Sequence, residues 1–326
     1  MKILGDVFLD QQYHVDIELD KFVFNLEYPL STMGEPAKHK INLGADTPNI
    51  YETFNKLPLA VNLANNHIMD YGEEGFSKTV EYLNEKKIGY FGAGNKENNY
   101  NNPYIIKYDE KSIAFFGYCC PTAHPVFGGE GFNGSARLDT SNIEEDIKKY
   151  KKKVDFIIIN LHWGDEEIIY PKPIDVKKAH AIIDSGADLI IGHHSHVVQS
   201  IEKYKGKYIF YGVGNFIFPD FNVPSSYDGK KFLNRSIKKQ WKKNKETIIV
   251  QLSQDLKVSY DTAAFTKSTV QRKKITIPRW IPSKQQHYEL YKKIWTKKRM
   301  LEIFLKAPRI PSIKQIKILF SIKNKQ

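Results

Sequence analysis

The feature that most constrains the fold is the alternation of short apolar runs with amphipathic helical stretches between residues 22 and 265. The apolar runs are rich in β-branched and aromatic side chains, which is typical of buried strands. Helical patterns lie between them, for example at 75–87 and 176–185. Repeated βα units of this kind predict an α/β fold with largely parallel sheets. The predicted strands are 22–26, 59–63, 112–118, 156–161, 189–192 and 208–211.

The last third of the chain follows other patterns. Residues 247–252 and 257–260 predict a closing antiparallel pair, whereas the lysine-rich segment 219–244 predicts a mobile surface loop. The strand pattern stops after residue 265, and two basic helices are predicted at 288–304 and 313–322. We therefore predict one domain at 1–265 and a basic helical extension at 266–326.

Composition excludes several classes of protein. A hydrophobic fraction of 41% in 326 residues is sufficient for a packed core. No run approaches the roughly 18 apolar residues that span a bilayer. Gly5 and Asp6 interrupt the N-terminus before an apolar signal region forms, which predicts a cytoplasmic chain. Cys119 and Cys120 are adjacent, which predicts small buried residues and not a disulfide.

The excess positive charge lies near the C-terminus. Residues 267–326 hold 17 of the 49 Lys/Arg and 2 of the 37 Asp/Glu, so the rest of the chain is nearly neutral. One interpretation is a solvated helical face. The other is peripheral attachment to an anionic surface such as the inner membrane, because Trp280, Trp295, Phe304 and Phe320 alternate with lysines. Nucleic acid ranks behind both, since no recognised nucleic-acid module accompanies the charge.

Polar residues of metal-ligand type follow the predicted strands. In open α/β sheets, sites form at the carboxyl ends of strands, so we expect these residues to converge. Carboxylate, amide oxygen and imidazole together suit Mn²⁺, Fe²⁺ or Zn²⁺. Two such ions about 3.5–4 Å apart stabilise an in-line displacement at phosphorus. The clusters are Gly5-Asp6, Asn25-Leu26-Glu27, Asn65-Asn66-His67, His162-Trp163-Gly164-Asp165-Glu166 and Gly192-His193-His194-Ser195-His196.

The order of these motifs, from residue 1 to about 220, resembles the bacterial capsule synthesis protein family. This is the CapA, or poly-γ-glutamate capsule, family of the calcineurin-like metallophosphoesterase superfamily. The resemblance implies a four-layer α/β/β/α sandwich, to which the predicted basic helical appendage is added, and a centre of two divalent ions between its sheets. The implied metal ligands are Asp6, Glu27, Asn66, His162, His194 and His196.

Within that centre the resemblance implies separate roles. Asp6 and His196 would bind the first ion, Glu27 would bridge, and the other three ligands would bind the second ion. The implied activity is a phosphoesterase-like hydrolase of capsule or exopolymer biosynthesis, in which a metal-activated water attacks the phosphoester and His67 acts as general acid. Its substrate would be a phosphorylated sugar, a lipid-linked intermediate or a polymeric one.

Five further residues are interpreted from their neighbours. Strand alternation predicts that the imidazoles of His194 and His196 point the same way and that of His193 the opposite way. Asp70 either orients His67 or caps the helix that begins near residue 72. Asn65 is expected to cap a turn, and Glu166 to lie behind the ligands or to face the substrate. Asn215 is expected to hold the loop that carries His194 or to bind a ligand.

One position departs from the superfamily. The superfamily has an opening D-x-H motif, and the corresponding residues of this chain are Asp6-Val7-Phe8, so the first metal site lacks a histidine. A one-metal centre is therefore the alternative to a two-metal centre. A non-catalytic accessory protein of capsule assembly is the alternative function, and a nuclease ranks third because it would need the basic extension to bind nucleic acid.

Overall fold

The computed structural model describes residues 1–38, 40–97, 103–227 and 232–306. The strands before residue 120 are β1 (Lys2–Val7), β2 (His14–Asp16), β3 (Phe22–Leu26), β4 (Ala60–Asn62), β5 (Gly89–Phe91), β6 (Ala93–Gly94), β7 (Tyr104–Tyr108) and β8 (Lys111–Cys119). Those after it are β9 (Gly134–Ser135), β10 (Phe156–His162), β11 (Leu189–His193), β12 (Ile201–Tyr204), β13 (Lys207–Phe210), β14 (Asn215–Ile217), β15 (Phe221–Tyr227), β16 (Phe232–Lys238), β17 (Glu246–Leu252), β18 (Val258–Thr266) and β19 (Thr269–Arg272). The α-helices are α1 (Ile50–Phe54), α2 (Gly72–Glu85), α3 (Thr140–Tyr150), α4 (Pro173–Ser185) and α5 (Gln285–Lys306).

Two large sheets form the centre of the fold. The first has the strand order β2-β19-β18-β17-β1-β3-β4-β5, with β14 paired to β1, and the second has the order β12-β13-β11-β10-β8-β7. The strands β1, β3, β4 and β5 are parallel, and so are β8, β10, β11 and β13. The central strands of each sheet therefore bring their carboxyl ends to one edge.

Three apolar cores separate four layers. Side chains of both sheets, such as Ile3 and Val23 of the first and Phe115 and Ile158 of the second, form the middle core. The helices α1 and α2 cover the outer face of the first sheet, and α3 and α4 cover the outer face of the second. The fold is thus a four-layer α/β/β/α sandwich, as the resemblance implied.

Two parts of the chain differ from the sequence-based expectation. Residues 219–244 are not a loop, because β15 and β16 pair as antiparallel strands within them. The strands also do not stop at residue 265, since β19 pairs with β18 from Ala263↔Arg272 to Thr266↔Thr269. The closing pair β17–β18 agrees with the prediction.

The chain forms two compact units, the first of which is Met1–Ile281. The second begins at Pro282, and its described part contains α5. The predicted helix at 313–322 lies outside the described residues, and the assignment of 266–326 as a separate extension stays a prediction. Across the described ranges, no helix has the length and apolar character needed to cross a bilayer. Cys119 and Cys120 are buried free thiols.

Candidate metal centre

Asp6 lies near the end of β1 and is completely buried. Its Oδ1 is 2.9 Å from Nδ1 of His193 and accepts a hydrogen bond of 2.9 Å from the Asn25 amide. Its Oδ2 accepts from the backbone N–H of His194 at 3.2 Å. Burial alone raises the pKa of Asp6, but the His193 hydrogen bond and the charges of His193 and His196 hold that pKa below its usual value. Asp6 is therefore a buried, oriented carboxylate.

Glu27 follows β3 and is also completely buried. Among the described residues its Oε1 has no hydrogen-bond partner, although it lies 3.6 Å from His162 Nε2 and 3.5 Å from His196 Nε2. Burial, together with the nearby charges of Asp6 and Glu166, raises the pKa of Glu27 well above its usual value. A buried carboxylate oxygen in this position indicates a site for a cation.

The distances fit a divalent ion. Ligand atoms about 2.1 Å from a tetrahedrally coordinated ion lie about 3.4 Å from each other. The distances from Glu27 Oε1 to the two imidazole nitrogens, 3.6 and 3.5 Å, are close to that value. Two groups of donor atoms each lie within 4.8 Å of one another. The first donor group is Asp6, Glu27 and His196, and the second donor group is Glu27, His162 and His194. Because Glu27 belongs to both groups, it is placed as a bridging ligand would be.

The second group also includes an amide. Asn66 Oδ1 lies 2.8 Å from His162 Nε2, and the rings of His162 and His194 have centroids 4.7 Å apart. Burial lowers the pKa of His162 well below its usual value and that of His194 to about 4. Both imidazoles are therefore neutral near pH 7, which is the form that binds metals.

The histidine loop differs from the predicted strand alternation. The strand β11 ends at His193, and His194 and His196 both have left-handed backbone conformations, with φ of 79° and 54°. These turns, and not alternation along a strand, direct both imidazoles to the centre. His193 does not point away, as alternation predicted, because its ring contacts Asp6. Left-handed non-glycine residues cost energy and cluster at functional sites.

Close packing of backbones places this loop. A Cβ on Gly192 would lie 1.9 Å from the carbonyl oxygen of Tyr211, which also accepts a hydrogen bond of 2.9 Å from the Trp163 indole. Only glycine allows this approach. Asn215 then fixes His196, because its Oδ1 lies 2.8 Å from His196 Nδ1 and leaves Nε2 on the side of Glu27. Such a contact orients a metal-binding imidazole.

His67 lies beside the two donor groups and is oriented by Asp70. His67 Nδ1 is 2.6 Å from Asp70 Oδ2, which also accepts from the Leu43 N–H at 2.8 Å. The Lys40 ammonium is 2.5 Å from the other oxygen of Asp70. The helix α2 has Tyr71 at its N-cap position, so these contacts favour the orienting role of Asp70 over the capping role. Burial lowers the pKa of His67, and the Asp70 charge opposes this.

Asn65 caps the turn that carries these residues. Its Oδ1 accepts from the backbone N–H groups of His67 and Ile68 at 3.0 and 2.9 Å. Asn25 is a further residue of the centre, for which the sequence motif alone predicted no role. Asn25 donates to Asp6 and lies 3.5 Å from Glu27 Oε2. The signal was present, because Asn25 is a polar residue within the apolar run Phe-Val-Phe-Asn-Leu.

Phe8 occupies the position of the histidine in the D-x-H motif, and its side chain packs in an aromatic cluster. The side chain is buried, and its ring packs on Tyr28, Phe218 and Phe221 with centroids 5.1 to 5.9 Å apart. The ring of Phe218 in turn lies 4.9 Å from that of His196. This aromatic cluster supports the first donor group and adds no ligand to it.

A cavity of about 260 Å³ opens over the centre. His67, Glu166 and His196 line it, and Lys40 and Lys238 add positive charge at its wall. Glu166 and Glu167 also line the cavity, so its lysines and glutamates balance in charge, and bound cations would supply the net positive charge that attracts an anionic ligand.

Comparison with known sequences identifies the family. The sequence pattern of the family described as bacterial capsule synthesis protein PGA_cap matches residues 14–220. This chain belongs to that family. The PGA_cap match includes Glu27, Asn66, His162, His194 and His196, so five of the six converging side chains lie inside it.

Relatives with curated names match over part of their length. Capsule biosynthesis protein CapA of Bacillus anthracis is 35% identical over 162 residues, which are 48% of this chain and 39% of that protein. A probable polyglutamine synthesis accessory protein of Mycobacterium tuberculosis is 28% identical over 214 residues, which are 61% of this chain and 55% of that protein. The matched regions thus cover about half of these relatives or less.

Solved structures resemble the chain only distantly. A putative 5′-nucleotidase from Staphylococcus aureus gives a TM-score of 0.39 at 12% identity and covers 74% of this chain and 42% of that chain. A similarity of this size supports no argument about activity.

Proposed function

We propose that this PGA_cap family member is a metal-dependent phosphoesterase-like hydrolase that acts in capsule or exopolymer biosynthesis. The observation that carries the proposal is the position of Glu27 Oε1. It is buried, accepts no hydrogen bond from the described part of the chain, and lies 3.5 and 3.6 Å from two imidazole nitrogens. Asp6, Glu27 and His196 would hold one divalent ion, and Glu27, Asn66, His162 and His194 a second, with Mn²⁺, Fe²⁺ or Zn²⁺ fitting this donor set. Ions bound there would neutralise phosphoryl oxygens and lower the pKa of an attacking water.

The residues around the donors supply the remaining functions. His67 lines the cavity, and Asp70 holds its Nδ1, so the opposite ring nitrogen is available to protonate a leaving oxygen. Burial of Asp70 and its contacts with Lys40 and the Leu43 N–H keep this pair in one orientation. His67 acts as general acid in this proposal, and Asp70 as its positioning residue.

The proposed substrate is an anionic intermediate of capsule assembly, such as a phosphorylated sugar or a lipid-linked or polymeric phosphoester. Lys40 and Lys238 at the cavity wall, together with the bound cations, would attract it. The names of the relatives support the biological context, since two of the proteins compared carry capsule or polyglutamine synthesis in their names.

A non-catalytic accessory role is the second candidate. The Mycobacterium tuberculosis relative is named an accessory protein, and Phe8 removes one ligand of the first site. An accessory protein would keep the fold and bind metal without hydrolysing phosphoesters.

Substitution of His67 separates the two candidates. The chain is assayed with p-nitrophenyl phosphate and its bis-ester after loading with Mn²⁺, Fe²⁺ or Zn²⁺. We expect metal-dependent turnover, and we expect His67→Ala to lower kcat by about 10²–10⁴-fold, the usual contribution of a general acid, while the metal content stays unchanged. His180→Ala is the matched control. His180 lies on α4, its Nε2 is 3.0 Å from the Glu202 carboxylate, and it does not line the cavity.

The outcomes of that assay are distinct. Turnover that persists unchanged in His67→Ala rules out the proposed general acid. Bound metal without turnover on either ester, for all three ions, supports the accessory role.

We also propose that α5 docks on an anionic membrane surface. Its sequence holds six Lys/Arg and two Glu, and the apolar side chains Leu290, Ile294, Leu301 and Leu305 are all more than half exposed. Their spacing of four, seven and four residues places them along one stripe of the helix. A basic helix with an exposed apolar stripe is typical of interfacial helices.

A further inference from the structure

The first donor group is short of a ligand. Asp6, Glu27 and His196 supply three donors, and Phe8 stands where the superfamily pattern has a fourth. An ion held by three protein donors takes at least one further ligand, which is a fourth side chain in closed structural sites and a water or substrate in catalytic sites.

Glu166 lies beside two of the proposed ligand histidines, one from each donor group. One of its carboxylate oxygens lies with donor nitrogens of His194 and His196, all three atoms within 4.8 Å of one another. The Glu166 side chain is half exposed and lines the cavity over the centre. Its ion pair with Lys238 is long, at 4.0 Å, and leaves the carboxylate free to turn toward a cation.

The turn that carries Glu166 is held against the histidine loop. The backbone N–H of Glu167 donates to the carbonyl of Ser195 at 2.7 Å, between the two histidines concerned. The Gln199 amide donates to the carbonyl of Ile168 at 2.7 Å. Glu167 itself has a left-handed backbone, with φ of 62°. A turn that contains a left-handed residue and is joined by two hydrogen bonds to the segment after β11 is an arrangement expected of a positioned ligand.

We propose that Glu166 is a further metal ligand of the centre, which binds an ion together with His196 on the side of the centre where His194 lies. This role rests on the metal centre of the proposed function but not on phosphoester hydrolysis. It assigns Glu166 to the centre itself, in place of a position behind the ligands or toward the substrate.

Metal binding by three variants of the full chain tests this role. The wild type, Glu166→Gln, Glu166→His and Asp165→Asn are titrated with Mn²⁺ by calorimetry, and their ion content after dialysis is measured by mass spectrometry. Asp165→Asn is the matched control, since it removes a charge from the same turn while its carboxylate pairs with Lys172 at 2.7 Å. Thermal unfolding of each variant checks that it folds.

We expect Glu166→Gln to weaken the binding of one Mn²⁺ by at least about tenfold, the scale seen when even an outer partner of a metal site is lost. Glu166→His should recover most of that affinity, because it restores a donor without the charge. Asp165→Asn should bind as the wild type does.

The proposal is overturned if Glu166→Gln binds Mn²⁺ as the wild type does, which would mean that Glu166 serves only to pair with Lys238. It is also overturned if Asp165→Asn loses as much Mn²⁺ affinity as Glu166→Gln, because the loss of any negative charge from this turn would then explain the effect. If Glu166→Gln loses an ion but the wild type hydrolyses no ester, Glu166 keeps this role and only the proposed hydrolase activity fails.

Discussion

Asp6 and Glu27 are buried carboxylates at the ends of neighbouring strands, and their pKa values are shifted in opposite directions. Three hydrogen bonds, from His193, Asn25 and the His194 backbone, stabilise the charge on Asp6. Glu27 has no equivalent partner for Oε1 among the described residues. Since an unpaired buried charge is costly, a cation at Glu27 would supply what the surrounding protein does not.

Asp175 is a buried carboxylate outside the metal centre, and it gives a test of pH dependence. It lies in the first turn of α4, its Oδ2 has no hydrogen-bond partner among the described residues, and burial raises its pKa to about 6. The unfolded chain ionises this group near pH 4, so the folded state binds the extra proton between pH 4 and 6. Stability is therefore lost as the pH rises through that window, by about 3 kcal/mol at most.

We expect Asp175→Asn to raise the free energy of unfolding at pH 7.5 and to make little difference at pH 3.5, where the carboxyl is protonated in both states. Urea unfolding of both proteins at the two pH values measures this. Asp184→Asn, at the exposed end of the same helix and paired with Lys205, should show no such gain. A gain of the same size at both pH values would mean that ionisation of Asp175 is not the cause.

At the scale of elements, apolar runs identified the central strands but missed the pair β15–β16. At the start of β15, Phe221 is buried and Val223 packs on the same cluster, while Asn222 between them is exposed. A strand in which buried and exposed side chains alternate lacks the continuous apolar run of a central strand. Its period of two was masked by the Pro, Ser and Asn that suggested a loop.

The apolar stripe of α5 gives a prediction for that helix. We expect the full chain to sediment with vesicles containing phosphatidylserine, more weakly as salt rises, because lysines contribute about 1 kcal/mol each near such a surface. Ile294→Asp should weaken binding by about tenfold or more, since burying an isoleucine contributes about 1.5–3 kcal/mol. Thr296→Asp is the control, because Thr296 is exposed off the stripe.

Equal losses in the two α5 variants would show that added charge, and not the stripe, weakens the interaction. Binding to neutral vesicles that equals binding to anionic ones would remove the role of the lysines.

At the scale of the whole molecule, sequence reasoning was effective for the layers and for the set of residues brought together. The strand pattern indicated an α/β fold, and the spaced motifs implied the four-layer sandwich and a donor set that the structure does bring together. What it missed depends on local backbone geometry. Left-handed turns at His194 and His196 direct both imidazoles to the centre, and the contact of His193 with Asp6 joins residues 187 positions apart. Neither follows from strand alternation.

The most direct test of the metal centre is the anomalous scattering of crystals grown with Mn²⁺. We expect two anomalous peaks, each at about 2.0–2.3 Å from its ligand atoms, and Glu27 should contact both ions. One ion should also be bound by His162, His194 and Asn66, and the other by Asp6 and His196. A single peak in the second group would indicate the one-metal centre. Saturating Mn²⁺ with no anomalous peak beside Glu27 would contradict the account.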